Sequence, residues 1–174
     1  MIPAVLVTLQ EELGADEDAL VRALWSAGLV GFVIAARATF AAESAGCQVE
    51  IGAAGAMAAA AVVDWAGGTP KQACDAAAVA LQNTMGTVCD PVGGGCEIPC
   101  QTRNGAAAAN AFLCADMILG GHINLVPLDE TIDASYAVGQ ALPDTLRCTA
   151  RGGLAVTPSA LALVREKTPD PVPP

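Results

Sequence analysis

Seven cysteines punctuate this chain of 174 residues, and three of them fall in one twelve-residue stretch, "CDPVGGGCEIPC", residues 89 to 100. Thiols gathered by Pro- and Gly-rich backbone can form a disulfide, ligate a metal, supply a nucleophile or sit inert. Structural zinc sites present paired C-x2–4-C knuckles. Cys89 and Cys100 are eleven positions apart and only Cys96 and Cys100 are close, which is a poor zinc pattern. A cysteine nucleophile needs a basic partner, usually His. The chain has one His, His122 in the loop "GGHINLVP", and it reads as a surface residue. An iron–sulfur cluster fits better on general grounds. It takes soft thiolates, and glycines let backbone N–H groups approach its sulfides. Spacing alone leaves all of these readings open.

The elements that must position these thiols are helical. "TPKQACDAAAVALQNTMG" opens with Thr69 as N-cap and Pro70 at the first helical position, and stops at Gly86. Thr157 and Pro158 repeat that start in "TPSALALVREK". "GAMAAAAVVDWAGG" and "GAAAANAFLCADMILGG" both end in paired glycines, and "LDETIDASYAVGQAL" stops before Pro143. "PAVLVTLQEELG" and "DEDALVRALWSAGLVGFVIAA" fill the front. No stretch alternates apolar and polar residues long enough to demand a sheet. The prediction is an all-α domain over residues 1–167, a compact bundle of about seven Ala-rich helices with a Cys/Gly/Pro loop. The Pro-rich tail 168–174 reads as disordered. Cys74 and Cys114 sit inside helix patterns and read as small buried core residues. Cys47, in "AGCQVEIG", and Cys148, in "LRCTARGG", fall in breaks between helices.

Composition narrows the partners. The chain is 53% hydrophobic but only 3% aromatic, with a formal charge of −10 and a pI near 4.2. Nucleic acid and anionic membrane surfaces both attract basic patches, so neither is expected as a partner. The longest apolar run, residues 23 to 36, would rise about 21 Å as a helix, short of a hydrocarbon core of about 30 Å. It reads as a buried core helix. The chain opens with no basic, apolar and small-residue sequence of a signal peptide. A cytoplasmic location with reduced thiols is therefore expected.

Four segments carry a resemblance: "AGCQVEIGAAGAMAAAA", "GTVCDPVGGGCEIPCQTRN", "PLDETIDA" and "LRCTARGGLAVTP". In this order they resemble the catalytic α chain, or α domain, of the iron–sulfur-dependent bacterial L-serine dehydratases. The "CDPVGG…PC…RN" core is the most specific part, and the likeness covers roughly residues 2 to 160. The resemblance implies a [4Fe–4S] cluster held by Cys47, Cys89 and Cys100 with the fourth iron open, and no pyridoxal phosphate. It implies conversion of L-serine to pyruvate and ammonia, the open iron acting as a Lewis acid on the substrate hydroxyl. It also implies a β subunit or β domain as partner, and an oligomer.

Gln48, Asp90, Arg103 and Asn104 are the neighbours that could bind substrate or orient ligands. Arg103 suits a carboxylate because its fork can engage both oxygens. Glu50 is either a base or a helix-start residue, and no catalytic base is assigned. Cys96 and Cys148 stand where the family has an aliphatic residue and a glutamate, so both read as non-ligands. The family also carries a Gly/Ser/Thr-rich segment just upstream of "IPAVL", so the chain reads as N-terminally shortened and of little activity alone. The competing readings are a related cluster lyase acting on L-cysteine or L-threonine, and an inactive helical fragment or binding module.

Overall fold

The computed structural model describes residues 1–167, so the Pro-rich tail lies outside the described residues. Eight α-helices are present among them: α1 (Ile2–Glu11), α2 (Glu17–Arg37), α3 (Ala42–Ala45), α4 (Ile51–Trp65), α5 (Pro70–Thr84), α6 (Cys100–Leu119), α7 (Leu128–Ala141) and α8 (Pro158–Lys167). All seven helices read from the sequence are there. The eighth, α3, is a four-residue turn too short to carry a period. Among the described residues the one departure from helix and loop is an isolated parallel bridge between Cys89 and Arg147.

The caps follow from the residues that form them. Asp16 accepts a hydrogen bond from Ala19 N at 2.7 Å at the start of α2. Thr69 and Gln72 form a reciprocal capping box on α5, so two helix-end N–H groups that would lack partners are satisfied. The organising helix is α4, packed against α1, α2, α5 and α6. It is buried nearly all round, by Gly52, Ala53, Gly55, Ala56, Ala58 to Ala61, Val62 and Val63. Small side chains on every face let four helices approach one axis. Such a helix has no single apolar stripe and belongs in an interior. Gly139 shows how close the contacts run: a Cβ there would lie 2.4 Å from Ala45 O, so α7 seats on α3 only without a side chain.

Two sequence expectations are corrected. The apolar run in α2 is not wholly buried. Ala19, Ala23, Ala27, Val30, Gly31 and Ile34 face inward, while Trp25 (71% exposed), Phe32 (73%), Leu24 and Leu29 face out. Small residues, with Val30 and Ile34, form the contact stripe, and the aromatic side chains with Leu24 and Leu29 are left over. Cys74 is exposed and only Cys114 is buried. On α5 the inward face is Ala73, Ala76, Ala77 and Ala80, and Cys74 falls outside it. Two stretches, Glu17–Arg37 and Cys47–Trp65, are long and apolar enough to cross a bilayer, and the second is largely buried inside the bundle.

Candidate functional site

Three thiols from three separate pieces of chain meet in one buried cluster. Cys47 opens a 3-10 turn, Cys47–Val49, between α3 and α4. Cys89 lies in the loop after α5, and Cys100 is the first residue of α6. All three pack with Ala42, Ile51 and Ala107, and all are free thiols. The side chain of Cys47 interacts with those of both Cys89 and Cys100.

Each cysteine is placed by a polar clamp. Next to Cys47, the wholly buried Gln48 donates from Nε2 to Ala45 O at 2.9 Å. Its Oε1 accepts from Gly86 N at 2.9 Å and from Ser135 Oγ at 3.2 Å. One side chain thereby ties α3, α7 and the end of α5 around the Cys47 turn. Next to Cys89, Asp90 is 3% exposed. Its Oδ1 accepts from Arg103 Nη1 at 2.8 Å and its Oδ2 from Leu154 N at 2.8 Å. Arg103 Nη1 also donates to Val88 O at 2.9 Å. Next to Cys100, Asn104 Nδ2 donates back to Cys100 O at 2.8 Å. Gln48 and Asp90 thus have their hydrogen-bonding atoms engaged by protein partners, while Arg103 also lines an open cleft.

That cleft encloses about 310 Å³ and is lined by Asn83, Thr84, Thr87, Arg103 and Asn110 together with Ile51 and Ala107. The last two also pack on the cysteines, so the cleft adjoins the thiols. Its polar wall was not read from the sequence. A signal existed: Asn83 and Asn110 lie inside Ala-rich helices, where Asn is disfavoured unless it has other work. They bond each other, Asn83 Nδ2 donating to Asn110 Oδ1 at 2.9 Å.

Burial dominates the electrostatics. It pushes the Cys47 thiol up, with Cys89, Arg103 and Cys100 opposing the rise and Glu50 adding to it. It pushes Cys89 up furthest, with Cys148 and Cys47 adding. Cys100 is pushed up to about 11 by burial and by Cys47 and Cys96, against Arg103. Arg103 is therefore the cation that favours thiolate here, and it acts on two of the three sulfurs. Cys100 also sits at the N-terminus of a twenty-residue helix, where the helix dipole favours negative charge. Burial raises the Glu50 carboxyl, against a hydrogen bond from the Ala42 backbone, although the residue's surface is exposed. His122 is exposed in the loop after α6.

Soft donors in this number suit zinc or iron–sulfur chemistry. Among the described residues no group of three or more His, Cys, Asp or Glu has the geometry to hold a single metal ion. A polynuclear cluster sets a different requirement, since each thiolate binds its own iron.

A family model described as serine dehydratase alpha chain matches residues 1–155. The chain belongs to the serine dehydratase alpha chain family. It is 45% identical over 166 residues to a Bacillus subtilis protein named "Probable L-serine dehydratase, alpha chain", covering 95% of this chain and 55% of that one. It is 43% identical over 155 residues to the L-serine dehydratase alpha chain of Peptoniphilus asaccharolyticus, covering 89% and 53%. Against the L-serine dehydratase of Streptomyces coelicolor it is 41% identical over 158 residues, covering 90% and 35%. The chain thus spans about half the length of the Bacillus and Peptoniphilus relatives.

Proposed function

We infer that this chain carries the cluster-binding core of an L-serine dehydratase. It releases ammonia and pyruvate from L-serine with a [4Fe–4S] cluster and without pyridoxal phosphate. The observation that carries the reading is the convergence of Cys47, Cys89 and Cys100, from three separated segments, into one buried group in a chain of this family. The donor set fits: three soft thiolates, no carboxylate among them, and a Gly-rich loop at residues 93–95 beside the second and third cysteines. When bound, the cluster supplies a Lewis-acidic iron that draws electron density from the substrate hydroxyl.

The chain's own residues do the rest. Gln48 and Asp90 hold Cys47 and Cys89 in place through the bonds described above, as residues behind metal ligands generally do. Arg103 carries positive charge at the edge of the cleft, where a substrate carboxylate can approach the guanidinium edge not committed to Asp90. The hydroxyls and amides of Thr84, Thr87, Asn83 and Asn110 offer donors and acceptors for a small polar amino acid. Loss of the α-proton and the β-hydroxyl as water gives aminoacrylate, whose imine tautomer takes up water to yield pyruvate and ammonia. The alpha-chain naming of the Bacillus and Peptoniphilus relatives supports a β subunit as partner.

The test is pyruvate formation under argon from L-serine, L-threonine and L-cysteine. The iron-loaded chain is assayed alone and with the portion of the Bacillus relative that this chain does not match. Pyruvate from L-serine in the combined sample supports the reading, and turnover of L-cysteine alone selects the desulfidating alternative. No product from any of the three contradicts the reading.

A further inference from the structure

We propose that the outer face of α2 is an interface between two copies of this chain, which pair antiparallel about Gly28 on a two-fold axis. The proposal is independent of the cluster reading. From Ala23 to Ala36 the chain carries no charged residue. The inward stripe of this stretch packs on α4. The outward stripe is apolar as well. Val21, Leu24, Trp25, Leu29 and Phe32 are all exposed, and Ala35 and Ala36 extend the stripe toward the end of the helix. The solvent side of a surface helix normally carries charged and polar side chains. A continuous apolar face in their place marks a surface that binds something.

Gly28, within the stripe, is the second observation. A Cβ added there meets nothing within 4 Å. Gly31 is different: a Cβ there would lie 2.6 Å from Met57 Cε, so the bundle itself requires that glycine. Nothing within this chain requires Gly28, and glycine weakens a helix interior relative to alanine. A helix laid across it from outside does require it, because the missing side chain lets the two axes approach to about 8 Å.

The occupant follows from the symmetry and area of the face. Leu24 and Phe32 lie four residues before and after Gly28, and Val21 and Ala35 lie seven before and after. An antiparallel two-fold therefore sets Phe32 of each copy against Leu24 and Trp25 of the other, and Ala35 against Val21. Such closed, self-complementary pairing is the commonest symmetry of homo-oligomers. Trp25 and Phe32 are 71% and 73% exposed, so together they offer about 300 Å² of apolar surface. Val21, Leu24 and Leu29 raise this to about 550 Å² per copy, or on the order of 1,100 Å² for the pair, which clears the ~1,000 Å² of a specific interface. A membrane surface is a poorer occupant. Asp16, Glu17 and Asp18 open the helix, and anionic headgroups repel them.

The experiment is sedimentation equilibrium of the whole chain, under thiol reductant, from about 1 to 100 µM. The expected mass rises from 17.4 kDa to twice that value. Phe32→Glu, at an exposed site, should keep the parent's helical circular dichroism and raise the dimer dissociation constant at least tenfold. A parent that stays at 17.4 kDa throughout overturns the proposal. So does a Phe32→Glu variant that pairs as tightly as the parent.

Disulfide trapping tests the register. Gly28→Cys places one thiol from each copy at the axis. Val21→Cys separates them by about 21 Å along the helix, beyond the reach of a disulfide. Tryptic peptides 23–37 and 1–22 contain no native cysteine. On mild oxidation, peptide 23–37 should be joined to itself in Gly28→Cys, and peptide 1–22 at least tenfold less in Val21→Cys. Equal trapping of both, or trapping of neither, contradicts the antiparallel pairing.

Discussion

Replacing Gly153 with Ala should destabilise the protein far more than replacing Gly94 with Ala. Both glycines have positive φ, +61 and +76. At Gly94 an added Cβ meets nothing within 4 Å, so alanine suffers only the left-handed backbone, about 1 kcal/mol. At Gly153 the same atom would lie 2.4 Å from Asp90 Oδ2, 2.7 Å from its Cβ and 2.9 Å from its Cγ. Asp90 cannot retreat without loosening its bonds from Arg103 and Leu154 N. Overpacking of this kind adds about 1–3 kcal/mol, for a total of about 3 kcal/mol. At about 2–4 °C per kcal/mol for a domain of this size, Gly94→Ala lowers Tm by about 2–4 °C and Gly153→Ala by about 6–12 °C. The assay is thermal unfolding of the cluster-free chain followed by circular dichroism, with denaturant titration as a check on two-state behaviour. Equal shifts for the two variants would refute the claim that Asp90, held by Arg103 and Leu154 N, is packed tightly against Gly153.

Asp90→Asn replaces two buried acceptors with one acceptor and one donor, set against the N–H groups of Arg103 and Leu154. The loss should be about 3 kcal/mol in urea denaturation, and a loss below about 1 kcal/mol would remove Asp90 from the clamp. Cys114→Ala, at a wholly buried site, should cost about 1–2 kcal/mol, and Cys74→Ala, at an exposed one, within about 0.5 kcal/mol. Neither should change iron uptake, which metal analysis of the loaded variants checks. Burial raises the Cys114 thiol from 9.0 to about 11. Its neutral form is the one that folds well, so its contribution is full below pH 9 and is lost as pH rises through 11. The size is of order 2–3 kcal/mol as an upper bound. Cys114→Ala should flatten that part of the stability–pH curve, and an unchanged slope would show that another group sets it.

The helices were legible because their ends are chemically marked. Thr69–Pro70 and Thr157–Pro158 announce starts, and Gly86 and the paired glycines announce stops. Which face each helix buries was not legible. In alanine-rich sequence the same residue type lies inside and outside, so no period separates Cys74 from Cys114 or Trp25 from Val30. The largest side chains of α2, Trp25 and Phe32, face outward because the bundle packs mainly on small residues there. The thiols Cys47, Cys89 and Cys100 could be picked out by resemblance. The partners of Gln48 and Asp90 could not, since Ser135 and Leu154 lie far along the chain and tertiary packing alone brings them in. Cys148 reads from the sequence as a non-ligand because the family has a glutamate there, and the bridge between Cys89 and Arg147 that brings it alongside Cys89 joins segments too far apart for any sequence period to show.

The most direct test of the central claim is iron and labile sulfide per chain after anaerobic reconstitution, for the parent and for Cys47→Ser, Cys89→Ser and Cys100→Ser. The parent should take up about four of each, with the broad visible absorption of thiolate-bound iron–sulfur centres. Each variant should lose it while keeping its helical circular dichroism. Full iron and sulfide in any one of the three variants would contradict the account.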